Sequence, residues 1–317
     1  MTRPVRIGSH LEQVLASGQF AVTAELGPPR NADAAAVRAK AERLAPYADA
    51  VNVLDNTGAS VHMCALAAAV LVQRTGVEPV LQITGRDRNQ IALQSDLLGA
   101  AALGIQNILC LSGDDPRAGD HPDAKAVMDF DSIRLIQAAR KMRDEGAFWS
   151  GVPLRGAAPR LFIGSTENPY TQPVEAGVAR LAKKIDAGAE FIQTQFVYDL
   201  EPFARWLELA RAEGLHERAY ILAGIGPLRR LRTAEFLRDH IPGVVVPDWV
   251  IERLRAADDQ AAEGVRIAVE VIAGLRRLPG VAGIHIMPMD WDEGVARVVE
   301  AAGLLPRPPR PAPQPAA

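Results

Sequence analysis

A glutamate, Glu25, stands at the end of a short apolar run in FAVTAELGPPR, residues 20–30, with Leu26 alone between it and Gly27, Pro28 and Pro29, which stop the chain's extension. A carboxylate at the end of a buried strand is placed to hold or deliver a proton where the fold opens to solvent. The alternative for Glu25 is a solvated carboxylate at a loop mouth. Gln193 and Gln195 alternate in EFIQTQF, so both project from one face of an extended run. Buried amides need partners, and ligand contact is expected of both. Asp114 follows Gly113 in LSGDDP, where it reads as turn chemistry or as a second functional carboxylate. Arg86, Asp87 and Arg88 read as a solvated helix entry or as site charges, and His285 reads first as a satisfied core histidine.

The metal and acyl-transfer classes find little support. Cys64 and Cys110 lie far apart in apolar neighbourhoods, without ligand spacing, and are expected to be inert core thiols. Clustered His, Cys and carboxylate ligands are missing from the polar runs, and no G-x-S-x-G turn occurs. What remains is amide and carboxylate chemistry, which suits a flat heterocycle rich in donors and acceptors, such as a pterin or a flavin.

These groups need a frame. Short apolar runs recur at 20–26, 48–54, 79–84, 106–112, 160–165, 190–196, 219–225 and 282–287, with helical patterns at about 33–46, 62–76, 89–103, 129–145, 173–187, 200–213, 228–240, 248–278 and 291–303. Strict alternation over eight strands predicts an α/β fold of the (β/α)8 TIM-barrel type, whose functional face lies at the strands' carboxyl ends. On that face the pattern collects Glu25; Asp55, Asn56 and Thr57; Gln82 and Thr84; Ser112, Gly113 and Asp114; Ser165 to Asn168; Gln193 and Gln195; and His285 with Met287. The stretch before strand eight is too long for one helix, and Pro247, Asp248 and Gly264 suggest that it divides in two. Residues 1–305 are expected to form one barrel domain, and 306–317, RPPRPAPQPAA from Arg307 onward, a disordered or extended proline-rich tail.

The net charge of −3 offers no electrostatic case for nucleic acid, so a small molecule is the expected ligand. No segment approaches the roughly 18 uninterrupted apolar residues of a membrane span, and the N-terminal residues contain no apolar signal core; a cytoplasmic location is expected.

Several motifs resemble, in order, those of the methylenetetrahydrofolate reductases, a family of flavoprotein barrels. TAELGPP is similar to the family's first-strand E-x-x-P-P element, LSGDDP to its L-R-G-D-x-P turn, KKIDAGA to its K-x-D-A-G-A helix end and IQTQFVYD to its T-Q-F-F-x-D strand; AGIGPL is similar to the segment covering the substrate. The likeness runs from about Phe20 to Leu305. VNVLDN and QITGRDRNQIALQSDLLGAAALGI resemble the branch found in acetogens and other anaerobes, in which the reductase can pair with a separate zinc- or iron–sulfur-containing subunit.

The resemblance implies reduction of 5,10-methylenetetrahydrofolate to 5-methyltetrahydrofolate in one-carbon metabolism, by ping-pong hydride transfer from NADH or NADPH through FAD. Glu25 would protonate the folate bridge nitrogen. Asp114 would lie between flavin and pterin, and Gln195, with Gln193 beside it, would bind the pterin. Asp55, Asn56, Gln82, Ser112, Gly113 and Asn168 would border the flavin, and Arg180, Lys183 and Lys184 would face its phosphate.

The chain also departs from the family pattern. Ser112 stands where the L-R-G-D motif has arginine, Asn168 where a flavin-contacting histidine is expected, and Gly177 where an acid near the adenosine ribose is expected. Weaker adenosine contacts leave FMN as an alternative to FAD. Two other readings remain open at this stage: a pterin-binding methyltransferase barrel, and a subunit active only within an electron-transfer complex. Homo-oligomerisation is left open.

Overall fold

Runs of β-branched and aliphatic residues, too short for helices and interrupted by Gly, Pro and Asp, form eight strands in the computed structural model, which describes residues 3–310. They are β1 (Ala21–Leu26), β2 (Ala50–Val53), β3 (Pro79–Thr84), β4 (Asn107–Leu111), β5 (Phe162–Glu167), β6 (Phe191–Phe196), β7 (Tyr220–Ile225) and β8 (Val281–Ile286). All pair in parallel and in sequence order, and β8 returns to β1 with Thr23 opposite His285, closing the expected barrel.

The helices are α1 (His10–Ala16), α2 (Ala34–Leu44), α3 (Ala65–Gln73), α4 (Gln90–Ala102), α5 (Ser132–Asp144), α6 (Val174–Ala187), α7 (Leu200–Ala212), α8 (Leu215–Arg218), α9 (Leu231–His240), α10 (Asp248–Ala256), α11 (Gln260–Leu275) and α12 (Asp292–Ala301). Side-chain caps mark several starts: Asp33, Asn89, Asp131, Asp199 and Asp259 each accept a first-turn backbone N–H. Among the described residues no helix is long and apolar enough to cross a membrane.

The barrel's amino-terminal mouth is closed by α1, a helix the hydrophobic pattern did not reveal. Leu11, Val14 and Leu15 pack against Ala50, Val80, Leu109, Phe162, Phe191 and Leu222 in one apolar cluster. Each leucine so buried contributes about 1.5–3 kcal/mol. Glu12 accepts backbone N–H bonds from Arg6, Ile7 and Gly8 at 2.6–2.9 Å, and Glu78 accepts from His10 and Leu11 at 2.8 Å.

Three expectations require revision. The long helical stretch before β8 divides at 257–259, not at Gly264, which lies inside α11; a Cβ there would stand 1.8 Å from the Leu228 carbonyl oxygen, so its glycine serves close packing. Cys110 is a buried thiol as expected, but Cys64 is exposed. The segment expected to be disordered or extended begins as an extended run against the barrel floor. Arg307 donates to Asp49 at 3.1 and 2.5 Å and to the Phe20 carbonyl at 2.9 Å, and Arg310 donates to the carbonyls of Ala45 and Ala48. The rest of that tail, 311–317, lies outside the described residues.

Candidate active site

Glu25 occupies the last turn-facing position of β1, its side chain 20% exposed, because Gly27 and Pro28 end the strand just beyond it. Its Oε1 lies 3.2 Å from Nε2 of His285 on the adjoining β8. The imidazole is 3% exposed, and its Nδ1 lies 2.9 Å from the hydroxyl of Thr23, two residues before Glu25 on the same strand face. His285 is therefore a buried histidine, as expected, and also the direct partner of the candidate acid.

Below this pair the barrel interior is polar. Gln193 donates both amide hydrogens, to Asn52 Oδ1 at 3.0 Å and to Thr23 Oγ1 at 3.1 Å, and accepts from Asn52 Nδ2 at 2.6 Å. With 1% exposure and its donors engaged, Gln193 supports the site from beneath and does not present its amide group freely to the cleft. Gln195, one step higher and partly exposed, accepts from the Phe196 N–H at 2.9 Å where the β6–β7 register shifts. Its amide nitrogen has no protein acceptor among the described residues and borders the cleft.

The cleft consists of two adjoining cavities of ≈ 330 and ≈ 480 Å³. Glu25, His285, Gln195, Asn168 and Met287 border the smaller; Asp55, Arg86, Ser112, Gly113 and Asp114 border the larger; Gln82, Thr166, Arg180 and Lys184 border both. Asp114 is exposed and accepts the Gly58 N–H at 2.9 Å through Oδ2. Gly113 turns the chain there with φ +93°, and a Cβ would meet that of Arg86 at 2.9 Å.

Several expected contacts are loop anchors. Asp55 accepts a bidentate pair from Arg88 at 2.7 and 3.0 Å, together with the Thr84 N–H and hydroxyl, so it fastens β2 to β3. Asn56 joins its loop to Asp87 at 3.3 Å and to the His62 N–H at 3.0 Å, and does not border either cavity. Ser112 accepts the Ser132 N–H at 3.1 Å, tying β4 to the start of α5. Asn168 bridges Gly243 O at 3.1 Å and the Tyr170 N–H at 2.9 Å.

Arg86 is not a solvated helix entry. It is 3% exposed and donates to Asp87, to Asn56 O and, at 3.4 Å, to Asp114 O, linking the loops after β2, β3 and β4. Asp87's hydrogen bond from Arg86 holds its carboxyl below the ordinary aspartate range.

The helix-α6 cations separate into two groups. Arg180 and Lys184, four residues apart, share a face and both engage buried Glu167, Arg180 Nε at 3.0 Å and Lys184 Nζ at 3.3 Å. Lys183 points to solvent and borders neither cavity. Burial lowers the Lys184 ammonium from its usual value, with Glu167 opposing that shift. Two cations against one carboxylate leave the cluster with one net positive charge. Thr23 and Asn52 were not singled out by the sequence, although Asn52 is an amide between two valines in VNV, and Glu167 was placed on the functional face without its partners.

The family pattern described as methylenetetrahydrofolate reductase matches residues 10–303. Among curated relatives, methylenetetrahydrofolate reductase 2 of Schizosaccharomyces pombe is 27% identical over 257 residues, covering 78% of this chain and 39% of that protein. The 5,10-methylenetetrahydrofolate reductase of Escherichia coli is 24% identical over 237 residues, 74% of this chain and 73% of that one. The chain thus spans well under two thirds of the length of the yeast relative. A solved structure of an uncharacterized Clostridium thermocellum protein that binds two copies of 5-methyl-5,6,7,8-tetrahydrofolic acid shares the fold, with a TM-score of 0.66 over 94% of this chain at 13% identity. The extent of the family match, from α1 to the end of α12, shows that this chain belongs to the methylenetetrahydrofolate reductase family.

Proposed function

We propose that this chain reduces 5,10-methylenetetrahydrofolate to 5-methyltetrahydrofolate, with NADH or NADPH as the hydride source and a flavin, FAD or alternatively FMN, as carrier. The observation that carries the reading is Glu25: a largely buried carboxyl, held from one side by His285, faces a cavity that the side chains of Gln82, Asn168 and Gln195 and the mutually paired Glu167, Arg180 and Lys184 also border.

The residues present fit a flavin phosphate. The Glu167–Arg180–Lys184 cluster keeps one net positive charge and Arg180 and Lys184 border the larger cavity, so these cations, rather than the α5 N-terminus already capped by Asp131, would hold the phosphate. When bound, the flavin supplies a hydride acceptor and donor that lets two substrates react without meeting. The nicotinamide and the folate would use one open face of the cleft in turn, which gives ping-pong kinetics.

Glu25 protonates the bridging nitrogen of the folate, opening its five-membered ring to an iminium that can accept hydride at the former methylene carbon. General acid catalysis of this kind contributes roughly 10²–10⁴ in rate. Asp114, fixed through Oδ2 by Gly58 N–H, keeps Oδ1 for the donor edge of the pterin, and the free amide N–H of Gln195 meets its acceptor edge. The clostridial neighbour's ability to bind a methylated folate is consistent with a pterin in a barrel of this shape.

The test is anaerobic spectroscopy of the purified protein. A flavin spectrum bleached by NADH or NADPH, and restored by methylenetetrahydrofolate, is expected. A colourless protein in which neither FAD nor FMN supports folate reduction would refute the reading.

A further inference from the structure

The loops that leave the strands' carboxyl ends carry Arg30, Arg86, Arg88, Arg117, Arg229 and Arg230. The first four each hold an aspartate: Arg30 pairs with Asp120, Arg86 with Asp87, Arg88 with Asp55 and Arg117 with Asp115. Arg229 and Arg230, in the loop after β7, are exposed and, among the described residues, pair with no carboxylate; the same is true of Arg232 in the first turn of α9. The ion pairs of that helix belong to Arg238, with Asp239 and Asp248, and to Glu235, with Arg255. Asp258 and Asp259 adjoin Gln260, whose side chain accepts the Leu231 N–H at 2.9 Å, yet neither pairs with these arginines, and Asp259 caps α11. The stretch from Arg229 to Arg232 therefore keeps an unmatched positive field that a bound anion would relieve.

Its place in the fold is set by β7, which stands between β6, carrying Gln195, and β8, carrying His285. The end of β7 reaches the smaller cavity: a Cβ on Gly224 would lie 2.7 Å from Cε of Met287, which borders that cavity. Beyond it, Tyr198 donates to the Gly226 carbonyl at 3.0 Å, and Leu228 packs with Phe196 and Tyr198 in one apolar cluster. Arg229 and Arg230 follow at once, so their backbone lies no more than about 18 Å from Ile225. The anchored loop thus holds these guanidinium groups at the rim of the cavity that Glu25 borders.

A flat ring seated in that cavity leaves the rest of its molecule to pass over the rim. We propose that Arg229, Arg230 and Arg232 form an anion subsite for the arm of the ring substrate, the pyrophosphate of the nicotinamide dinucleotide or the glutamate carboxylates of the folate. The identity of these ligands rests on the proposed function; the subsite does not. Both arms carry oxyanions that a guanidinium fork matches with parallel hydrogen bonds. Because the two rings would occupy one face in turn, a single basic rim can serve whichever arm is present. Arg180 and Lys184 do not replace it, since both are engaged by Glu167 and are assigned to the flavin phosphate. No covalent step is involved, and the arginines act on binding alone.

The test uses the flavin-loaded protein and the combined variant Arg229→Gln, Arg230→Gln and Arg232→Gln, whose exposed positions leave the fold intact. Stopped-flow half-saturation for flavin reduction is measured with NADH and with reduced nicotinamide riboside, which lacks the pyrophosphate. Reoxidation is measured with methylenetetrahydrofolate and with its diamide, in which the glutamate carboxylates are neutral. The variant should need about three- to tenfold more NADH, more folate, or more of both, and no more of either armless ligand. The substrate affected names the source of the anion. Added salt should raise the native half-saturation for that substrate and leave the variant's flat, because exposed charges are screened. Arg238→Gln, at the α9 arginine already paired with Asp239 and Asp248, should move none of these values.

A second measurement needs no turnover: inorganic pyrophosphate should protect Arg229 and Arg230 of the native protein from phenylglyoxal, as mapped by mass spectrometry. Half-saturation unchanged for both charged substrates, an equal rise with the armless ligands, or arginines as reactive with pyrophosphate as without it overturns the inference. Native protein that reduces no folate would count against the proposed function, and the protection experiment would then decide this point alone.

Discussion

Glu25 Oε1 and His285 Nε2 stand 3.2 Å apart on neighbouring strands, and the ladder that pairs Thr23 with His285 enforces this approach. A carboxyl at a strand end has several rotamers; this one has a partner that selects one of them. Replacing Glu25 by Gln keeps the shape and a hydrogen bond to the imidazole but removes the transferable proton. Folate reduction should fall about 10²–10⁴-fold while NADH still reduces the flavin, as stopped-flow measurement of the separate half-reactions would show. Equal loss of both half-reactions would contradict the proton-donor role.

The strand ends were readable because a period-two apolar pattern bounded by Gly, Pro and Asp survives any packing detail. Glu25 and Gln195 could be picked out on the same grounds, as polar groups in otherwise apolar runs. What the pattern could not supply was pairing. Asp55 and Arg88 are 33 residues apart, and only the β2–β3 register brings them into a bidentate contact. The same holds for Glu167, whose capture of Arg180 and Lys184 depends on α6 folding back over β5. Helix α1 escaped notice because only one short apolar stripe marks it, although Ser9 followed by Glu12 has the spacing of a capping box, and Ser9 does accept the Glu12 N–H.

Asp87 gives the loop cluster an acid-sensitive fastening. The hydrogen bond from Arg86 lowers the folded-state pKa of its carboxyl below the ordinary value of 3.8. A depressed acid stabilises the fold above its unfolded-state pKa and loses that contribution as pH falls through the folded value, so the window lies below about pH 4. Urea midpoints measured at pH 5 and pH 3 should differ less in Asp87→Asn than in the native protein. The same difference in both would remove Asp87 from the account.

Arg307 closes the barrel floor from beyond the last helix. Its partner Asp49 has a side-chain exposure of 0%, so Arg307→Ala leaves a buried carboxylate without its cation. Loss of one partner from such a pair costs about 3–5 kcal/mol. Denaturant titration should show that loss, and because the floor lies at the opposite end of the strands from Glu25, the kcat of the folded fraction should hold. Stability within about 0.5 kcal/mol of native would mean that the contact is superficial.

The division of the α6 cations makes a sharper prediction about the cofactor. Arg180 and Lys183 are both arginine- or lysine-type positions near a phosphate by sequence, yet Arg180 borders the cleft and Lys183 faces solvent. Arg180→Ala removes one charge-assisted donor and leaves Lys184 fully matched by Glu167, so the cluster's net positive charge disappears. A hydrogen bond to a charged group contributes about 1.5–3 kcal/mol, which corresponds to roughly tenfold to a hundredfold weaker flavin binding. Lys183→Ala should leave that affinity within about twofold, since an exposed charge is largely screened by solvent and salt. Fluorescence titration of stripped protein with FAD and with FMN would measure both, and equal weakening by the two substitutions would show that the phosphate is held elsewhere on the helix.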